Sequence, residues 1–150
     1  MLGSCLAGKI VKRIRSHNDS QQIHVVMLGD NNLRRKSGKI DKEIKSLLNY
    51  VRRIVEEASN AKDCRIIICS LIPDPNPEID SKFIQVDKAF QALKLGDKGM
   101  FLNLRPALTG PDGLLKSDCY IPGAIRLSAQ GNIAVGRSIR MLLEDLVSAC

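Results

Sequence analysis

The chain has 150 residues, of which 44% are hydrophobic and 26% charged, and it carries a formal net charge of +7. That length can bury a core without disulfide or metal support, and residues 1–150 read as a single domain. No run approaches the roughly 20 apolar residues that a membrane helix needs. Leu2 to Ala7 is followed by its positive charges instead of being preceded by them, so no secretory signal is read there. Leu2 excludes myristoylation, and a cytoplasmic or nuclear location is expected.

Ala7 to Arg15 places Ile10, Val11 and Ile14 at helical spacing among basic residues, which predicts an amphipathic helix ended by His17-Asn18-Asp19-Ser20. Ile23 to Leu28 is a short apolar run that stops at Gly29-Asp30-Asn31-Asn32, the pattern of a buried strand entering a polar loop. Ile40, Ile44, Leu47, Leu48, Val51, Ile54, Val55 and Ala58 then recur at three and four residues, a long helix with Asp41 at its start. Arg65 to Cys69 predicts a second strand, closed by Pro73, Pro75 and Pro77 in alternate positions, which forbid helix and ladder alike. A helix from about Asp80 to Leu95, a short strand from Met100 to Asn103 and an irregular stretch from Arg105 to Ile121 follow. The last helix starts near Ser128 as its cap. Alternation of helix and doubly apolar strand is the pattern of a parallel sheet covered on both faces, the α/β class.

Cys5, Cys64, Cys69, Cys119 and Cys150 form no CxxC pair and have no histidine at ligand spacing, so neither a metal site nor a disulfide framework is read. Dispersed, odd-numbered cysteines fit reduced thiols. Residues 1 to 60 hold 12 Lys and Arg against 6 Asp and Glu, so nearly all the positive excess is N-terminal. Arg34, Arg35, Lys36 and Lys39 cluster just after Asn31 and Asn32. The bland reading of these charges is a solvated surface; the functional one is attraction of anionic partners, nucleic acid included. With aromatic content at 3% and no tryptophan, stacking platforms for bases are scarce.

Leu28-Gly29-Asp30-Asn31-Asn32-Leu33 resembles the Gly-x-Asn-Asp block of the SGNH hydrolases, also called GDSL-type esterases and lipases. Ile125-Arg126-Leu127-Ser128-Ala129-Gln130-Gly131-Asn132 is similar to that family's last block, Asp-x-x-His-Leu-Ser-x-x-Gly-Asn. The resemblance runs over almost the whole chain. It implies a three-layer α/β/α, flavodoxin-like fold with a small parallel sheet, here without the first, nucleophile-bearing strand, and so an N-terminally truncated domain. In such enzymes a serine attacks the ester carbonyl, a histidine oriented by an aspartate takes its proton, and amide donors stabilise the oxyanion.

Matched residue by residue, the resemblance leaves only oxyanion parts: Asn31 for the asparagine and Gly8 for the glycine of the second block. No Gly-Asp-Ser block exists, and only three residues precede Ser4, so no strand delivers it or Cys5. Arg126 stands where the histidine belongs and Gly123 where its aspartate belongs; a guanidinium stays protonated and cannot act as a base. Asp118 is too distant along the chain to replace the orienting carboxylate, and His17 and His24 read as structural. Ser128 reads as a helix cap.

The expected function is therefore an SGNH hydrolase-like domain, inactive or incomplete as written. It keeps a remnant site at Asn31, with Asn32 and Arg34 as ligand-binding residues for an ester, acyl or anionic group, and it needs no cofactor. Two alternatives are an ester hydrolase active only in a longer product and a basic module for polyanions or nucleic acid.

Overall fold

A computed structural model describes residues 2–17, 19–34 and 39–148, with side chains from Ala7 onward. The side chains of Ser4 and Cys5, together with Arg35, Lys36 and Cys150, lie outside the described residues. Helix α1 (Leu2–Ser16) leads into strand β1 (Gln22–Val26), the short helix α2 (Asp30–Arg34) and the long helix α3 (Ile40–Asn60). Strand β2 (Cys64–Cys69), helix α4 (Pro77–Ala92) and strand β3 (Gly99–Leu102) follow. Helix α5 (Arg105–Leu108), a single 3₁₀ turn at Ser117–Cys119 and helix α6 (Ala129–Ser148) complete the chain.

The three strands form one parallel sheet in the order β1-β2-β3. Gln22 lies opposite Cys64 and Val26 opposite Ile68; Ile66 lies opposite Gly99 and Cys69 opposite Leu102. Successive right-handed crossovers in one direction put their helices on one face. Accordingly Val26, Leu28, Ile66 and Ile68 point into a core with α1, α3 and α4, whose fully buried members include Ile14, Leu47, Ile54, Phe83 and Phe90. The opposite side chains of β2, Ile67 and Cys69, meet α6 through Val135, Ile139, Leu142 and Leu146. Helices, sheet and α6 make three layers, as the alternating elements predict.

Two differences from the sequence expectation have local causes. Residues 30–34 form a helical turn and not only a loop, because Leu33 turns back into the core and its N–H bonds the Gly29 carbonyl at 3.0 Å. Helix α4 starts three residues before Asp80: Asn76 caps it by accepting from the Glu78 N–H, and Pro77 sits at the first turn, where its missing N–H costs nothing. Ser128 is confirmed as the cap of α6, its Oγ accepting from the Gly131 N–H at 3.2 Å.

Glycine is required at two places that set the strand ends. Gly29 takes φ +113°, and a Cβ there would lie 2.9 Å from Leu47 Cδ1. Gly131 lets the first turn of α6 pass the chain at Cys119, since a Cβ there would be 2.1 Å from the Cys119 carbonyl oxygen. Gly131→Ala is expected to lower stability by about 1–3 kcal/mol by forcing backbone movement, measured as a reduced urea midpoint. An unchanged midpoint would show that this helix end is free to shift.

Candidate functional site

The carboxyl ends of β1 and β2 are closed by different means. After β1 the chain turns at Gly29 into α2, whose Arg34 reaches across to the proline loop that follows β2. Arg34 Nη1 donates to Asp74, and Arg34 Nε donates to Asp30 Oδ1 at 2.5 Å. The guanidinium also lies over the Phe83 ring, 5.3 Å from its centroid. Asp74 is 4% exposed, and its Oδ1 accepts from the Asn76 N–H at 2.7 Å. The Asp74 N–H in turn donates to Asp80 Oδ1, and Asp80 holds Arg105 through two bonds of 2.9 and 3.0 Å. A chain of charge therefore runs from α2 through the proline loop to α5.

Behind the proline loop, the Leu71 N–H donates to Asp87 Oδ1 at 2.9 Å, while Asp87 Oδ2 is buried without a hydrogen-bond partner among the described residues. Burial pushes the Asp87 carboxyl up to about 6. In front of the loop, Tyr120 Oη donates to the Pro73 carbonyl at 2.8 Å, and burial raises the phenol to about 12.

Between these walls opens a cleft of about 490 Å³, with Pro75, Asn76 and Ile79 on one side and Tyr120, Ile121 and Ile125 on the other. Ile121 and Ile125 remain 43% and 62% exposed, so the mouth is apolar and wet. Three of its polar members are committed, Asp74 to Arg34, Asn76 Oδ1 to the helix cap and Tyr120 to Pro73, while Ser117 lines it as an exposed hydroxyl.

Asn31 is exposed and Asn32 half-buried on α2, at the same sheet end as the proline loop. Gly8 lies in the middle of α1, where its N–H belongs to the helical ladder and is not offered to an oxyanion. Arg34 is a clamp between α2 and the proline loop, with two of its nitrogens taken by carboxylates. Arg126 is exposed, and its carbonyl accepts from the Ile121 N–H at 2.9 Å, which shapes the cleft's outer loop. Gly123, in the aspartate position, adopts φ +71° in that loop. The Asp118 carbonyl accepts from Ser128 Oγ, so this segment is tied to the cap of α6.

Neither histidine reaches the cleft. His17 ends α1, and His24 sits within β1, bonded through Nε2 to Gln22 Oε1 at 2.9 Å. The hydroxyl–imidazole contact at Ser16 and His17, 2.8 Å, is exposed at the amino end of the sheet, and its hydroxyl donates to the Arg13 carbonyl. Cys69 and Cys119 are buried and their thiols pushed up by desolvation, Cys69 to about 11, so neither is a ready thiolate. Among the described residues no group of three or more His, Cys, Asp or Glu could hold a metal, and no helix is long and apolar enough to cross a membrane.

No protein-family profile matches the chain, and no curated protein matches it. Solved structures do share its fold. A protein assigned as a platelet activating factor from Streptococcus pneumonia superposes with a TM-score of 0.65 at 18% identity, covering 91% of this chain and 67% of that one. The OSK domain of Drosophila Oskar gives 0.62 at 15% identity over 81% of this chain and 62% of that one. A peptidoglycan O-acetylesterase gives 0.56 at 17% identity over 85% of this chain and 38% of its own. The chain thus shares its α/β fold with these three neighbours and spans between 38% and 67% of their lengths.

Two outcomes test the site's construction. Arg34→Ala leaves the Asp74 carboxylate buried without its cation and is expected to cost about 3 kcal/mol in chemical denaturation; a free surface cation would cost under 1 kcal/mol. A carboxyl whose folded pKa lies above its unfolded value binds more protons when folded. The Asp87 contribution therefore favours the native state at low pH and is lost as pH rises from about 4 through about 6. Allowing for solvent screening, on the order of 1–2 kcal/mol is expected. Asp87→Asn keeps an acceptor for Leu71 and should flatten this part of the stability profile.

Proposed function

We propose that this chain is a non-catalytic SGNH-type domain that binds an uncharged ester or acyl group in the cleft between the proline loop and Tyr120–Ile125. The observation that carries this reading is Arg126 at the position where the resembling enzymes need a proton acceptor, in the exposed loop that borders a cleft neither histidine lines. A guanidinium has no lone pair to accept the nucleophile's proton. The apolar walls suit an acyl or alkyl group, and the Asn76 amide and Ser117 hydroxyl on the lining are neutral polar groups for a carbonyl. Because Arg34 is committed to Asp30 and Asp74, an uncharged ligand fits better than an anion.

The second reading is an ester hydrolase completed in a longer product. It is supported by the outer edge of β1, which has no strand partner among the described residues, and by the partial coverage of the solved neighbours. It requires a nucleophile as well as a base, so Arg126→His, which supplies only a proton acceptor, should leave the present chain inactive.

Purified chain is expected to show no hydrolysis of p-nitrophenyl butyrate above an Asn31→Ala control. It should bind a non-hydrolysable butyryl ketone analogue, weakened about tenfold by Ile79→Asp, which puts a charge on the apolar wall. Turnover that disappears in Asn31→Ala would overturn the non-catalytic assignment, and binding indifferent to Ile79→Asp would move the ligand elsewhere.

A further inference from the structure

Helix α1 presents a cationic face that the cleft does not use. Among its 15 residues stand Lys9, Lys12, Arg13 and Arg15, with no aspartate or glutamate. Ala7, Val11 and Ile14 are buried in the core and fix the orientation of the helix. At about 100° per residue, Lys9, Lys12, Arg13 and Ser16 fall within one arc opposite that buried stripe. All four are exposed. Arg15 lies to one side, held against α3 by two bonds to Glu57 of 2.8 and 2.9 Å. Among the described residues none of Lys9, Lys12 and Arg13 is within ion-pair distance of a carboxylate.

The positive field extends to both flanks of this face. On the α3 side, Arg15 and, after it, Arg53 hold the Glu57 carboxyl below its ordinary range, so two arginines share that acid. On the β1 side the His24 imidazole is pushed down by burial first and then by Arg13 and His17. Desolvation of unpaired cations is costly, so Lys9, Lys12 and Arg13 mark a solvent face of the domain and not a packing surface.

The chemistry of the face selects its partner. A helix that lies in a bilayer surface needs an apolar stripe to insert, and the stripe of α1 is already buried in the core. Single-stranded bases stack on aromatic rings, and α1 holds none. What remains is a group of hydrated cations, the complement of closely spaced phosphates. Lys9 and Arg13 are separated by about 6 Å along the helix axis, near two phosphate steps of about 3.4 Å on one strand of a duplex. The net charge of +7 adds attraction at longer range.

We propose that the solvent face of α1 binds the phosphate backbone of a nucleic-acid duplex, without reading its sequence, through Lys9, Lys12 and Arg13. Each cation that meets a phosphate releases a condensed counterion, so affinity falls as salt rises. The cleft takes no part, and the ligand proposed there neither supports nor opposes this surface.

The test is a titration of the full chain into a short fluorescein-labelled DNA duplex of mixed sequence, followed by anisotropy from about 50 to 200 mM salt. Thermal melts confirm that each variant is folded. Saturable binding is expected, with a slope of log affinity against log salt on the order of −3 for three phosphate contacts. Replacing Lys9, Lys12 and Arg13 together by glutamine, a good helix former, should weaken it about tenfold or more and flatten the slope. Ser16→Glu, a single carboxylate on the same face, should weaken it in the same direction and serves if the triple variant does not fold. Glutamine at Lys45, Lys88 and Lys94 removes the same charge elsewhere and should cost less than roughly threefold; Ile79→Asp in the cleft should likewise leave the binding in place. An RNA duplex should bind comparably, since phosphates alone are contacted. The proposal is overturned by absence of saturable binding at low salt, by equal losses in the two glutamine variants, or by tighter binding of a single strand than of the duplex. Anionic phospholipid vesicles that bind where the duplex does not would overturn it in favour of a lipid surface.

Discussion

The carboxyl end of the sheet is organised by the Arg34–Asp74 ion pair. It joins a helix that belongs to β1 to a loop that belongs to β2, across 40 residues of sequence. A buried carboxylate is tolerated only when its charge and its lone pairs are satisfied. Asp74 meets that condition with one guanidinium and one backbone N–H. Once fixed, it positions its own N–H on Asp80, which fixes Arg105 and so the start of α5. The proline loop cannot join a ladder or a helix, so side-chain bonds of this kind hold it in place. The cleft inherits its shape from them, because its two walls are the outer surface of that loop and the strand-like segment pinned by Tyr120 on Pro73.

The same network decides what the site can bind. A cation already shared between two carboxylates offers a ligand little further electrostatic attraction, and what remains on the cleft surface is mainly the hydrocarbon of Pro75, Ile79, Ile121 and Ile125, with the Ser117 hydroxyl among it. Ester chemistry would need an attacking hydroxyl beside a neutral imidazole, held by a carboxylate. The resemblance read from the sequence sets Arg126 and Gly123 against that histidine and its aspartate. Both serve the loop through backbone geometry, Arg126 by its carbonyl and Gly123 by a left-handed turn.

Periodicity made the three strands and the long helices legible, because β2 buries each of its apolar residues and α3 buries Leu47, Val51, Ile54 and Ala58 along one stripe. The cap at Ser128 was legible for a similar reason, being a local bond between neighbours in sequence. The helix at residues 30–34 was hidden, since one buried leucine gives no period to detect. The signal for the start of α4 was present in Asn76-Pro77, a cap followed by proline, but the three prolines read more strongly as an extended loop. Asn31 and Asn32 fall at the expected sheet end, whereas the place of Gly8 depends on where α1 begins, and a run of small and basic residues does not mark that. The commitments of Arg34, Asp74, Asp80 and Asp87 were out of reach, because each is made by a partner brought close only by the fold.

The sheet is covered unequally, and that asymmetry bears on stability and recognition together. Three helices shield one face, with large side chains such as Phe83 and Phe90 fully buried, while α6 alone covers the other. A single helix is about 10 Å wide and a three-stranded sheet is wider, so α6 over β2 leaves the β1 margin uncovered. Val25 and Met27 are exposed there, and the unpaired peptide groups of the same strand face the same solvent. Apolar surface and unsatisfied backbone groups normally seek different partners, water suiting only the second.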